Sequence, residues 1–128
     1  MSTHHEISEN MDEVPIIDRE HLELIGVIGD GADHEMLREL LQLFEEENTS
    51  CLSALHEDSR SGNLEGCLRR LHFMCGSSAN LGLKRLSLTC RKYEQAVKEG
   101  HCENIEACLK PIEEEYNLSV QTLKAELK

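Results

Sequence analysis

The sequence predicts an all-α protein, an up-down-up-down antiparallel four-helix bundle with a short extra helix at the N-terminus. Apolar residues recur at helical spacing through four long segments, and the turns between them are short and carry glycine. Aromatic residues make up 3% of the chain and Trp is absent. The core must therefore come from Leu, Ile, Val, Cys and Ala, a composition suited to packed helices. Alternating strand patterns are nearly missing, and 128 residues suffice for one domain with a single core.

Residues 1–15 are polar and acidic without apolar period, and read as a disordered tail ahead of a domain spanning 16–128. Asp18 caps a short helix over Arg19–Ile28. Its apolar residues Leu22, Leu24, Ile25, Val27 and Ile28 exceed the single stripe that docking on a bundle requires, so part of that surface is spare. Gly29-Asp30-Gly31 breaks this helix. Asp33 caps the next, in which Leu37, Leu40, Leu41, Phe44, Cys51, Leu52 and Leu55 keep one face to about Glu57. Ser61-Gly62-Asn63 supplies a turn and a cap. Leu64, Cys67, Leu68, Leu71, Met74, Ser78 and Leu81 then form the inner face of the third helix, which Gly82 ends. Leu83, Leu86, Cys90, Tyr93 and Val97 face inward from the fourth, closed by Gly100. The last helix starts near Asn104 and carries Ile105, Cys108, Leu109, Ile112, Tyr116, Val120, Leu123 and Leu127. Because this register persists past Pro111, a kink is expected there and not a break.

The net charge of −12 argues against nucleic acid and anionic membranes as partners. Its distribution is uneven. Between Leu64 and Lys98 the basic residues Arg69, Arg70, Lys84, Arg85, Arg91, Lys92 and Lys98 outweigh Glu65 and Glu94, a local +5 that leaves −17 elsewhere. No apolar run is long enough to span a bilayer and no signal peptide is visible, so a cytosolic or nuclear location is expected. In such a compartment the six cysteines are expected to be reduced, and their spacing matches no zinc motif, so no metal is expected.

His72 lies at the edge of the third helix's apolar stripe, beside Glu65, Arg69, Gly76 and Ala79, and should see solvent. Gly76, one turn on, leaves open space beside the ring, at a cost of roughly 1 kcal/mol in helix propensity. A neutral imidazole nitrogen is a nucleophile near neutral pH. A lone helical histidine is more often a surface filler, and His21, His34, His56 and His101 keep that reading.

The stretch His72-Phe73-Met74-Cys75-Gly76-Ser77-Ser78-Ala79-Asn80-Leu81-Gly82-Leu83 resembles the signature of histidine-containing phosphotransfer (HPt) domains, and its wording is most similar to the fungal-type, stand-alone eukaryotic members. Weaker similarity runs from about Ile17 to the C-terminus. The resemblance implies the same bundle fold, with His72 accepting a phosphoryl group from a receiver-domain aspartate and passing it to another receiver. It also implies receiver domains and a hybrid histidine kinase as partners, and no cofactor of the chain's own, because the Mg²⁺ belongs to the receiver. An intrinsic ATP-using activity is not expected, and neither is oligomerisation beyond the monomer. One position departs from the family. Cys75 stands where a lysine usually helps to neutralise the phosphoryl group.

Arg69 and Lys98 are candidates to replace that cation. If the third and fourth helices are antiparallel about Gly82, Glu94 comes level with His72 and can orient the ring through its second nitrogen; alternatively Glu94 pairs with Lys98, one turn on. The spare apolar surface, with Ile25 and Ile28, is expected to dock the receiver together with Phe73. The competing function is a docking module that sequesters receivers without transfer, prompted by Cys75.

Overall fold

The computed structural model describes residues 11–102 and 104–127, and among these every regular element is helical. A 3₁₀ turn at Met11–Glu13 precedes five α-helices: α1 Arg19–Leu24, α2 His34–Ser61, α3 Leu64–Asn80, α4 Lys84–Lys98 and α5 Ile105–Ala125. α2 packs on α3, α3 on α4 and α4 on α5, and α5 closes back onto α2. The short turns at Gly62–Asn63 and Leu81–Leu83 reverse the chain, giving the predicted four-helix bundle.

Four of the five α-helices start on a side-chain cap, while α4 follows Leu83 with none. Asp18 Oδ1 accepts the His21 N–H at 3.1 Å, Asp33 Oδ1 that of Met36 at 2.9 Å, Asn63 Oδ1 that of Gly66 at 2.9 Å and Asn104 Oδ1 that of Ala107 at 3.4 Å. The core is aliphatic, as the composition requires. Leu37, Leu41, Leu55, Leu71, Met74, Leu86, Leu109, Ile112 and Leu123 are buried, and Phe44 stacks on Tyr116 with ring centroids 5.8 Å apart. α5 continues through Pro111.

Several expectations are corrected. α1 ends at Leu24 and not Ile28, because Gly26 takes φ +78° and turns the chain so that Val27 and Ile28 point into the core. α2 runs past Glu57 to Ser61, where the left-handed Gly62 caps it. Leu64 is exposed, since it opens α3 beyond the end of the bundle seam. Of the expected tail, residues 1–10 lie outside the described residues; beyond them Arg85 donates to the carbonyls of Val14 at 2.9 Å and Asp12 at 3.2 Å. The sulfurs of Cys51, Cys67, Cys75 and Cys90 are unpaired, and those of Cys102 and Cys108 meet at the entry to α5 across a Cα separation of 7.6 Å.

Candidate functional site

α3 and α4 diverge from one tight turn, and that turn fixes their register. Leu81 ends α3 and Gly82 takes φ +73°, allowing the Leu83 N–H to reach the Ser78 carbonyl at 2.8 Å. A side chain at Gly82 would also meet Leu22 Cγ at 3.0 Å, so α1 sits directly on this corner. Further along the seam the buried Ser87 Oγ donates to the Cys75 carbonyl at 2.9 Å, holding the two helices level. Ser87 was not identified from the sequence, because a serine in an apolar stripe carries no sign of its partner. The same holds for buried Asn48, whose Nδ2 donates to Phe44 O at 2.9 Å and to Ser77 Oγ at 3.0 Å, tying α2 to α3.

With the register set, His72 and Glu94 meet. His72 Nδ1 lies 3.2 Å from Glu94 Oε2, with the imidazole side chain 80% exposed and the carboxylate only 10% exposed. A carboxylate is an acceptor, so Nδ1 carries the proton and donates, which leaves the Nε2 lone pair available. No described residue forms a hydrogen bond or ion pair with Nε2. Lys98 Nζ stands 3.6 Å from the same Glu94 oxygen, so the two alternatives for Glu94 hold together: one carboxylate oxygen serves ring and ammonium.

Gly76 stands one helical turn after His72, and a methyl group there would find nothing within 4 Å, the ring included. Its helical backbone makes no demand for glycine either. Nothing inside the molecule therefore requires this residue, and the clearance it creates faces outward.

The other predicted site residues divide. Arg69 is exposed one turn before His72, with Nη1 3.7 Å from Glu65 Oε1, an exposed pair of little energetic weight. Phe73 is 42% exposed and lies along the α2–α3 groove with Arg69 and Arg70. Ile25 is 42% exposed beside the more exposed Leu24. Ile28 is corrected: at 3% exposure it belongs to the core, because the turn after Gly26 folds it inward. Leu24 and Leu43 are exposed apolar residues missing from the predicted set. Leu43 also lines a groove of about 170 Å³ between α2 and α3, with Leu40, Phe44, Ser77, Asn80 and Leu81.

Cys75, at the position where the family pattern supports the phosphoryl group, turns inward and supports none. It is 7% exposed and its Sγ lies 3.5 Å from Ser87 Oγ in the α3–α4 interface, so its side chain points away from the open side of the ring. Cys75→Lys is accordingly expected to cost about 3 kcal/mol, relieved only in part if the long stem reaches water. Urea denaturation measures this directly, and an unchanged midpoint would contradict the inward placement. Nor do the neighbouring thiols offer a second nucleophile: burial pushes Cys51 up to about 11 and Cys90 further. Among the described residues, no group of three His, Cys, Asp or Glu side chains is placed to hold a metal, and no helix is long and apolar enough to cross a membrane.

Comparison with known proteins gives two likenesses. The model of the Hpt domain family matches residues 39–127. The crystal structure of histidine-containing phosphotransfer protein B from Pseudomonas aeruginosa PAO1 matches over 89% of this chain and 96% of that one, with a TM-score of 0.75 and 21% sequence identity, a likeness of fold. No curated protein sequence matches the chain significantly.

Proposed function

This chain belongs to the Hpt domain family, whose members are phosphotransfer intermediates of phosphorelays and interact with receiver domains and histidine kinases, and we propose that His72 is its phosphoryl acceptor. One observation carries the assignment. An exposed imidazole has Nδ1 engaged by a buried carboxylate, its Nε2 open to solvent, and an unfilled space beside it at Gly76.

The chemistry follows from that geometry. Nε2 attacks the phosphorus of a receiver's aspartyl phosphate in line; the Nε2–P bond forms as the P–O bond to the aspartate breaks, and the aspartate leaves as a carboxylate. The ring keeps its Nδ1 proton and becomes positively charged as the bond forms. Glu94, at 3.2 Å, offsets that charge and fixes the ring plane, so the nucleophile is aimed before the donor arrives. Passing the group to a second receiver reverses these steps. The chain brings the nucleophile, while Mg²⁺ and the charges that stabilise the transferring group come from the receiver. Lys98, and Arg69 from the flank, supply positive charge toward the phosphoryl oxygens in place of Cys75. Ile25 and Phe73, joined by Leu24 and Leu43, form the apolar part of the docking face. The wording of the signature is consistent with the fungal-type, stand-alone members.

The test is incubation with a phosphorylated receiver domain and mapping of the product. Acid-labile, base-stable phosphate on the peptide containing His72 is expected; receiver binding with no such phosphate would establish the sequestering alternative. Glu94→Ala should slow acceptance by about 10- to 100-fold through loss of ring orientation, and Glu94→Gln, which keeps an acceptor, by less. Single-turnover labelling of the two variants measures the difference, and equal rates in Ala, Gln and wild type would remove Glu94 from the mechanism.

A further inference from the structure

The basic stretch from Leu64 to Lys98 is sorted by folding. Arg70 Nε is held 3.3 Å from Asp58 Oδ2, Arg85 is spent on the carbonyls of Val14 and Asp12, and Lys92 lies 5.2 Å from the centre of the Tyr93 ring. Lys84, Arg91 and Lys98 remain exposed on α4. They are spaced seven residues apart, so they form a nearly straight row about 21 Å long.

The residues between them fix where that row stands. Ser87 reaches the Cys75 carbonyl of α3 and Glu94 reaches His72, so these two mark the line along which α4 faces α3. Each cation of the row lies about 40–60° around the helix from that line. Lys98 Nζ, 3.6 Å from the Glu94 oxygen that also meets His72, joins the row to the reactive ring.

We infer that Lys84, Arg91 and Lys98 form a cationic docking ladder for the acidic rim of a phosphorylated receiver, steering that partner onto His72. The inference rests on the phosphotransfer reading above. A donor that carries an aspartyl phosphate is anionic at the place of contact, and a chain of net charge −12 repels it everywhere except where positive charge is concentrated. The ladder is such a place and is continuous with the reactive centre. It also explains how the chain can lack a lysine at position 75: the field comes from the adjacent helix.

The test uses the full chain with Lys84→Glu and Arg91→Glu together, against a control with Arg60→Glu and Lys110→Glu, which changes net charge equally at exposed sites on α2 and α5. The second-order rate of transfer from a phosphorylated receiver is measured between about 20 and about 300 mM salt. The ladder variant should be at least about 10-fold slower than the control at low salt, with the gap closing as salt rises. Equal rates in the two variants would overturn the ladder. So would retention of the wild type, but not the ladder variant, on phosphatidylserine vesicles with transfer unaffected, which assigns the row to a lipid surface. Phosphoramidate, a small donor that needs no protein partner, separates the two claims. Wild type left unlabelled by both donors would sink the phosphotransfer reading itself, whereas labelled wild type with equal receiver rates sinks the ladder alone. Circular dichroism checks folding, and the milder Lys84→Gln and Arg91→Gln carry the measurement if the charge reversals unfold the chain.

Discussion

His72→Gln is expected to abolish phosphoryl acceptance while leaving the bundle folded. The side chain is 80% exposed, so its removal uncovers little apolar surface, and Gln is a good helix former. Glu94 is not left alone with a buried charge, because Lys98 Nζ stays at 3.6 Å. The change in stability should therefore remain within about 0.5 kcal/mol, the range of ordinary surface substitutions. Labelling by a phosphorylated receiver should fall below detection, since Gln offers an amide and no nucleophilic ring nitrogen. Thermal melting and labelling are read on one preparation. Labelling at the wild-type level would place the acceptor elsewhere, and a collapsed melt would mean that the ring is structural.

Gly76→Gln should slow transfer by about 100-fold or more without loss of stability. A side chain at position 76 projects into space that nothing in the chain occupies within 4 Å, so the helix itself should gain up to about 1 kcal/mol from replacing glycine. The same side chain stands one turn from His72, where a receiver's aspartate must come within near-attack distance of Nε2. A displacement of about 1 Å at that step is enough to cost about 100-fold in rate. Stopped-flow transfer paired with a denaturant titration tests both halves. A more stable variant with undiminished transfer would show that the clearance at Gly76 is not an approach path.

The helices and their ends were legible in the sequence because they depend on local chemistry. Asp18, Asp33 and Asn63 cap where they stand, Gly62 and Gly82 turn the chain, and the apolar period names the inner faces of α2 to α5. His72 and Gly76 could be singled out for the same reason: one helical turn relates them. Glu94 was within reach because two helices leaving one tight turn must bring level those residues that are equally distant from it. Other features depended on which way a side chain turns once several helices close on it. Ile25 and Ile28 look equivalent in sequence, but the turn at Gly26 leaves one in water and drives the other into the core. Cys75 follows the reactive histidine by three residues, yet Ser87 of α4 holds it in the interface. Seven basic residues read as one zone until Glu65, Asp58, the N-terminal carbonyls and Tyr93 engage four of them and leave the row of Lys84, Arg91 and Lys98 exposed on α4. The sequence by itself determined the helices, their caps and the reactive pair on α3, since each of these rests on neighbours within about one turn. Only the tertiary structure decided what surrounds that pair, because burial and ion pairing across helices are set by contacts between residues far apart in the chain.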